Sequence, residues 1–183
     1  MLPKHTRALT VITTALAAAL TLAACSGGGA EAKHNDADVM FATMMIPHHA
    51  QAVQMSETVL AKDGVDEAVV DLAERVKDAQ QPEIDQMTEF LEAWDARVPA
   101  MGGAHDMPGM MSPDEMRVLA DAPGGQASQL FLQQMTEHHQ GAIEMAKAQV
   151  ADGENAAAVE LAEKISADQQ AEIEEMQDLL AKL

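Results

Sequence analysis

Two adjacent histidines, His48-His49, return 90 positions later as His138-His139, and each pair travels with the same neighbours. The first copy reads Phe41-x-x-x-Met45-x-x-His48-His49-x-x-Ala52-x-x-Met55. The second reads Phe131-x-x-x-Met135-x-x-His138-His139-x-x-Ala142-x-x-Met145. Imidazole nitrogen and thioether sulfur both ligate metals, and together they select soft, polarizable cations over Ca(II) or Mg(II). Zn(II) sites more often bring thiolates or several carboxylates. The donor set therefore points to copper, as Cu(I) or Cu(II), with Ag(I) as a surrogate. His48, His49, His138 and His139 are the nitrogen candidates. Met45, Met55, Met135 and Met145 are the sulfur candidates, with Met44, Met87 and Met176 as further ones.

A single histidine on an apolar stripe is more often a hydrogen-bonded core residue, and methionine at helical spacing is more often filler. The doubling shifts the balance, because four histidines beside matched methionines are a costly way to fill a core. The sequence between the halves adds a second signal. Met101, His105, Met107, Met110 and Met111 crowd into a Gly- and Pro-rich stretch, followed by Met116. An exposed loop has no packing reason to be rich in methionine, so this stretch is expected to be a weaker, mobile collecting site. Met110, Met111 and Met116 could instead dock the connection onto the rest of the chain.

The repeat extends past the histidines. With the offset reduced to 89, Leu72-Ala73 matches Leu161-Ala162, Gln80-Gln81 matches Gln169-Gln170, and Glu83-Ile84 matches Glu172-Ile173. Met87 matches Met176. An Asp-Gly turn, Asp63-Gly64 or Asp152-Gly153, divides each half, and glycine suits a helix end because it tolerates the left-handed conformation. Apolar residues recur every three or four positions, and Ala, Leu, Met, Glu and Gln dominate a chain with no Tyr and three Phe. That predicts helices near 38–62, 66–95, 126–151 and 154–182. One hairpin cannot bury its own stripe, but two can cover each other. The expected fold is all-α: a ferritin-like four-helix bundle of two duplicated hairpins, 38–95 and 126–183, with a long central crossover at 96–125. Ser112-Pro113-Asp114-Glu115 predicts a short helix starting at 113 in that crossover. Pro47 and Pro82 each remove a backbone donor, so kinks are expected in the first hairpin only.

At 100° per residue, His48 points inward with Phe41, Met44, Ala52 and Met55, while His49 falls at the edge of the stripe; the second copy repeats this. Glu83 and Glu172 also fall on core faces, where a carboxylate is costly unless paired. They are expected either to orient an imidazole through its other ring nitrogen or to ligate the metal themselves. Since imidazole binds metal only when neutral, affinity is expected to fall below about pH 6.

Residues 1–25 are not expected to belong to the fold. Lys4 and Arg7 precede an apolar run from Ala8 to Leu22, too short for a good membrane span, which closes on Leu22-Ala23-Ala24-Cys25. This resembles a lipoprotein signal whose Cys25 becomes the lipidated N-terminus, with 26–37 as a flexible tether and 38–183 as the domain. The chain would then sit on the outer face of the cell membrane, or on the periplasmic side in a Gram-negative cell. With no second cysteine there is no intrachain disulfide. Losing Lys4 and Arg7 leaves nine basic residues against 30 acidic ones, a formal charge of −21. Nucleic acid and anionic lipid surfaces are thereby disfavoured as partners.

Residues 36–183 resemble the domain-of-unknown-function family 305, a ferritin-like helical family. The resemblance rests on Met45-Ile46-Pro47-His48-His49, Met110-Met111-Ser112-Pro113 and Met135-Thr136-Glu137-His138-His139-Gln140-Gly141-Ala142-Ile143-Glu144-Met145-Ala146. Glu83-Ile84-x-x-Met87 and Glu172-Ile173-x-x-Met176 also fit. In the first copy the family's His-His-Gln appears as His48-His49-Ala50-Gln51. The resemblance implies a four-helix bundle and, for some members, exported copper-binding proteins that contribute to copper tolerance. The expected function is a surface-tethered protein that captures or buffers copper and hands it to an accepting protein. Two rivals stand beside it. One is a copper-dependent oxidase; a di-iron enzyme is disfavoured because the only Glu-x-x-His, Glu31-x-x-His34, lies in the tether. The other is a metal-free interaction module with a Met-rich surface.

Overall fold

The structure, a computed structural model, describes residues 33–99 and 107–183. The leader, Cys25, most of the tether, Met101 and His105 lie outside the described residues. The described chain is all-α: α1 (Asp36–Leu60), α2 (Glu67–Ala93), α3 (Pro113–Asp121), α4 (Gly124–Asp152) and α5 (Ala156–Leu180). Helix α1 starts inside the stretch expected to be tether. Asn35 caps it, accepting from the N–H groups of Ala37 and Asp38, while the Asp38 carboxylate accepts from Asn35 N–H. Asp66 and Asn155 cap α2 and α5, and Ser112 with Glu115 closes a capping box on α3 behind Pro113. Helices α1 and α2 run continuously through Pro47 and Pro82.

The two hairpins are α1–α2 and α4–α5. They meet chiefly along α1 and α4, with far less contact between α2 and α5. The core divides into two clusters. One holds Phe41, Met45, Met87, Ala142 and Ala146, with Met145 packed at its margin. The other holds Phe131, Met135, Met176, Ala52 and Met55. Each takes the earlier residues of one repeat and the later residues of the other. Helices α1 and α4 therefore cross antiparallel about a pseudo-dyad, which exchanges the clusters.

The same dyad relates two clasps. Buried Asp38, on α1, accepts from the N–H groups of Glu154 and Asn155 at the start of α5 and from the Gln149 amide. Ser128, its counterpart on α4, accepts from Asp66 N–H at the start of α2, at 3.0 Å. Each hairpin thus ties down the other's turn. The two Asp-Gly turns differ, however. Gly64 has φ +77, as expected for a left-handed helix end, whereas Gly153 has φ −73. At Gly153 the constraint is space: an added Cβ would lie 2.7 Å from Gln149 O and 2.8 Å from Asp38 Oδ1. Glycine is needed there for close approach of the clasp rather than for dihedral freedom.

Candidate metal centre

The four histidines lie where α1 and α4 cross, and all four are fully buried. His49 and His139 were expected at the edge of the inward stripe. They are enclosed because each hairpin's second helix covers that flank and brings a carboxylate to it. His49 Nε2 lies 2.9 Å from Glu83 Oε2, and His139 Nε2 lies 2.7 Å from Glu172 Oε2. His48 Nε2 lies 3.1 Å from the Pro108 carbonyl. The rings of His48 and His138 face each other at the dyad, with centroids 3.8 Å apart and planes at 38°.

These contacts assign the protons. A carboxylate or carbonyl oxygen can only accept, so Nε2 of His48, His49 and His139 carries the hydrogen. In a neutral imidazole that leaves the lone pair on Nδ1. Nδ1 of all four histidines, and Nε2 of His138 as well, is buried with no hydrogen-bond partner among the described residues. Buried polar atoms are ordinarily satisfied. A repeated set of unpartnered lone pairs, three of them on rings oriented through the other nitrogen, is an arrangement that could hold a metal. The donor chemistry fits a soft ion.

Burial disfavours the protonated form of His48, His138 and His139. It pulls His48 down to about 3, with the neighbouring His49 adding to the effect. His138 is driven well below its usual value by burial and then by His48. Burial also lowers His139, against the opposing pull of the Glu172 carboxylate. The window near pH 6 expected for loss of metal therefore does not apply to His48 or His138 in the folded protein. Burial alone would raise the Glu83 carboxyl, but His49 and Lys164 outweigh it and keep it below the usual range. Lys164 reaches Glu83 Oε1 at 2.9 Å and Asp168 Oδ2 at 2.7 Å, and the bond to Asp168 leads in raising it to about 12. Its repeat counterpart, Arg75, pairs with Glu175 rather than Glu172. The two halves thus anchor their carboxylates differently.

The sulfur candidates divide between the clusters. Met45 and Met87 are buried in the first, with Met145 at its margin; Met55, Met135 and Met176 are buried in the second. The Thr136 hydroxyl donates to the Leu132 carbonyl at 2.7 Å and places its oxygen 3.7 Å from Met176 Sδ. Met44 is half-buried and lines a surface groove with Met145. Among the described residues no three His, Cys, Asp or Glu side chains converge in a metal cluster.

The described part of the crossover packs onto the helices. Met111 is buried in the core, and its backbone N–H and carbonyl both bond the Gln51 side chain, at 2.7 and 2.8 Å. Met107 and Met110 are half-buried, and Met116 packs against the core. Pro108 presses on α4 at Gly141, where an added Cβ would sit 2.0 Å from the Pro108 oxygen. Sequence reasoning missed the Pro108 carbonyl, a backbone group that no side-chain pattern reveals. It also missed Lys164, whose alignment with Arg75 was an available signal. Gln80 and Gln169, matched in the repeat, are buried with both amide atoms unpartnered.

The Domain of unknown function (DUF305) family model matches residues 38–180. The structure is similar to a DUF305 fragment from Deinococcus radiodurans at 29% identity, covering 81% of this chain and 98% of that one, with TM-score 0.74. It is also similar to a DUF305 candidate secreted protein from Streptomyces coelicolor at 37% identity, covering 80% and 91%, with TM-score 0.71. CopM in its Cu(II)-bound form matches at 31% identity over 79% and 96%, with TM-score 0.68. CopM structures in Cu(I)-bound and Ag-bound forms match comparably. No match was found among curated proteins.

Proposed function

This chain belongs to the DUF305 family, and on that footing we propose that it captures or buffers Cu(I) and Cu(II) outside the cytoplasmic membrane. The observation that carries this reading is the set of four buried imidazoles, each with an unpartnered Nδ1 and three of them oriented through Nε2. His48, His49, His138 and His139 supply nitrogen. Met45, Met55, Met87, Met135 and Met176, buried in the two clusters, are the candidate sulfur donors, whereas Met44 and Met145 line a surface groove. Glu83 and Glu172 fix ring orientation rather than ligate. The similarity to CopM, solved with copper and with silver, supports the choice of metal.

Lipid attachment at Cys25 would hold the domain at the membrane, and no described helix is long and apolar enough to cross one. The role is binding and transfer to an accepting protein, not oxidation. Equilibrium dialysis against Cu(I), Cu(II) and Ag(I) tests the centre. His48→Ala/His138→Ala, and the bulkier His48→Gln/His138→Gln, should each lose tight binding while far-UV circular dichroism stays helical. Unchanged binding in a folded double variant removes the imidazoles from the site. Oxygen uptake above that of free Cu(I) would move the protein to the oxidases.

A further inference from the structure

The pseudo-dyad that exchanges the two core clusters must also exchange two surface grooves between α1 and α4. Among the described residues these grooves are treated unequally. The groove beside Met55 and Phe131 is filled by the crossover: Met111, Leu119 and Ala122 are buried in that cluster, and Met116 packs against it. Its twin, beside Met145 and Phe41, is filled by no described residue and remains a groove of about 250 Å³.

The residues that differ between the twins are informative. In the filled groove the positions are Leu130 and Gln134, and Gln134 donates to the Glu115 carbonyl of α3. In the open groove the same repeat positions are Met40 and Met44. Met40 is 57% exposed on the solvent face of the helix. Thioether thus replaces non-ligating side chains on the side that faces water. Soft-ion chemistry gives a reason for a thioether at such positions. Met40 and Met44 stand one turn apart on α1, and Met145 joins them from α4.

The groove also adjoins the imidazoles. Pro108 forms part of its wall, and the Pro108 carbonyl is the group that orients His48. Met145 lines the groove and packs against the cluster containing Met45. Glu144 and Asp152 stand at the rim, in a domain whose net charge attracts cations.

We propose that Met40, Met44 and Met145 form a second, solvent-open thioether site that takes a soft monovalent cation, Cu(I) or Ag(I), separately from the buried imidazoles. The inference rests on the reading of the chain as a copper binder and adds to it a loading site on one face only. The test uses the exported domain with its methionines labelled at the 13C methyl, titrated with silver nitrate. The methyl signals of Met40, Met44 and Met145 should shift in the first equivalents, including in His48→Gln/His138→Gln, where the buried site is impaired. Met40→Leu/Met44→Leu/Met145→Leu keeps the side-chain volumes and removes the sulfur. It should bind one fewer Ag(I) per chain and melt at an unchanged temperature. Full stoichiometry in this triple variant, or methyl shifts confined to the buried methionines, overturns the groove site while leaving the imidazole site standing. Absence of Ag(I) binding by the wild-type protein overturns both.

Discussion

Acid should unfold the metal-free protein through its histidines before it titrates most carboxylates. His48 is held neutral down to about 3, against 6.5 for an unburied imidazole. Below 6.5 the unfolded chain takes up a proton that the folded one refuses. Stability is therefore complete above 6.5 and declines as the pH falls toward 3. Each unit of this difference is worth about 1.4 kcal/mol, so at about pH 5 His48 alone costs about 2 kcal/mol. His138 and His139 act in the same direction. With a urea slope of about 2 kcal/mol/M, the midpoint should fall by about 1 M or more between about pH 7.5 and pH 5. The strongly acidic surface works the other way, because self-repulsion relaxes as carboxylates protonate. Salt at about 0.5 M screens it. Urea titrations followed by circular dichroism at the two pH values, without metal, provide the measurement. Coincident midpoints would refute the claim that the rings are buried and neutral. His48→Gln should flatten the dependence.

Gly141→Ala should destabilise the domain by about 2 kcal/mol or more, since backbone must move to admit the Cβ. It should also speed proteolysis within the crossover, read by limited digestion. Glu172→Gln should weaken Ag(I) binding about 10- to 100-fold in a competition titration, because the His139 ring loses its carboxylate anchor. Asp38→Asn should cost about 2 kcal/mol in urea unfolding, since a buried carboxylate accepting from Gln149, Glu154 and Asn155 loses its charge. Ser128→Ala, at the neutral clasp, should cost about 1 kcal/mol by the same assay. Burial alone would raise Asp38, but those donors together with Asn35 N–H hold it below 3.8, so its contribution disappears only in stronger acid than that of the histidines.

The doubled Phe-Met-His-His-Ala-Met register and its repeat to Leu180 suffice to place four long helices within two or three residues of their observed ends. Binary pattern and capping residues act locally, and local signals survive in a single sequence. The burial of His49 and His139 was less accessible. A projection of one straight helix assigns a single inward stripe, whereas α1 and α4 are each covered on two flanks. Glu83 and Glu172 were the clue, since a carboxylate on a core face needs a partner from a neighbouring helix. The seat of the crossover was likewise open in the sequence, where docking of Met110, Met111 and Met116 stood beside a collecting site. Its methionines look gratuitous in a loop until Gln51 is seen to grip Met111 and Gly141 to admit Pro108. The His48-His49-Ala50-Gln51 departure and the glycine at the matching position were visible, but only a folded chain shows them facing one strap. Met40 carried no signal alone; its meaning comes from comparison with Leu130 across the dyad.

A duplicated hairpin related by a dyad would present two equivalent grooves, and the described part of the strap that joins the halves fills one of them. If ions load through the remaining groove, they must also leave by it. Uptake and delivery then share a cul-de-sac and exclude each other in time. An accepting protein would have to dock over Met40 and Met44 and would shut out new cargo while it draws off the old. On that reading, the covalent joining of the halves does more than set their local concentration: it gives an otherwise symmetric domain a front and a back.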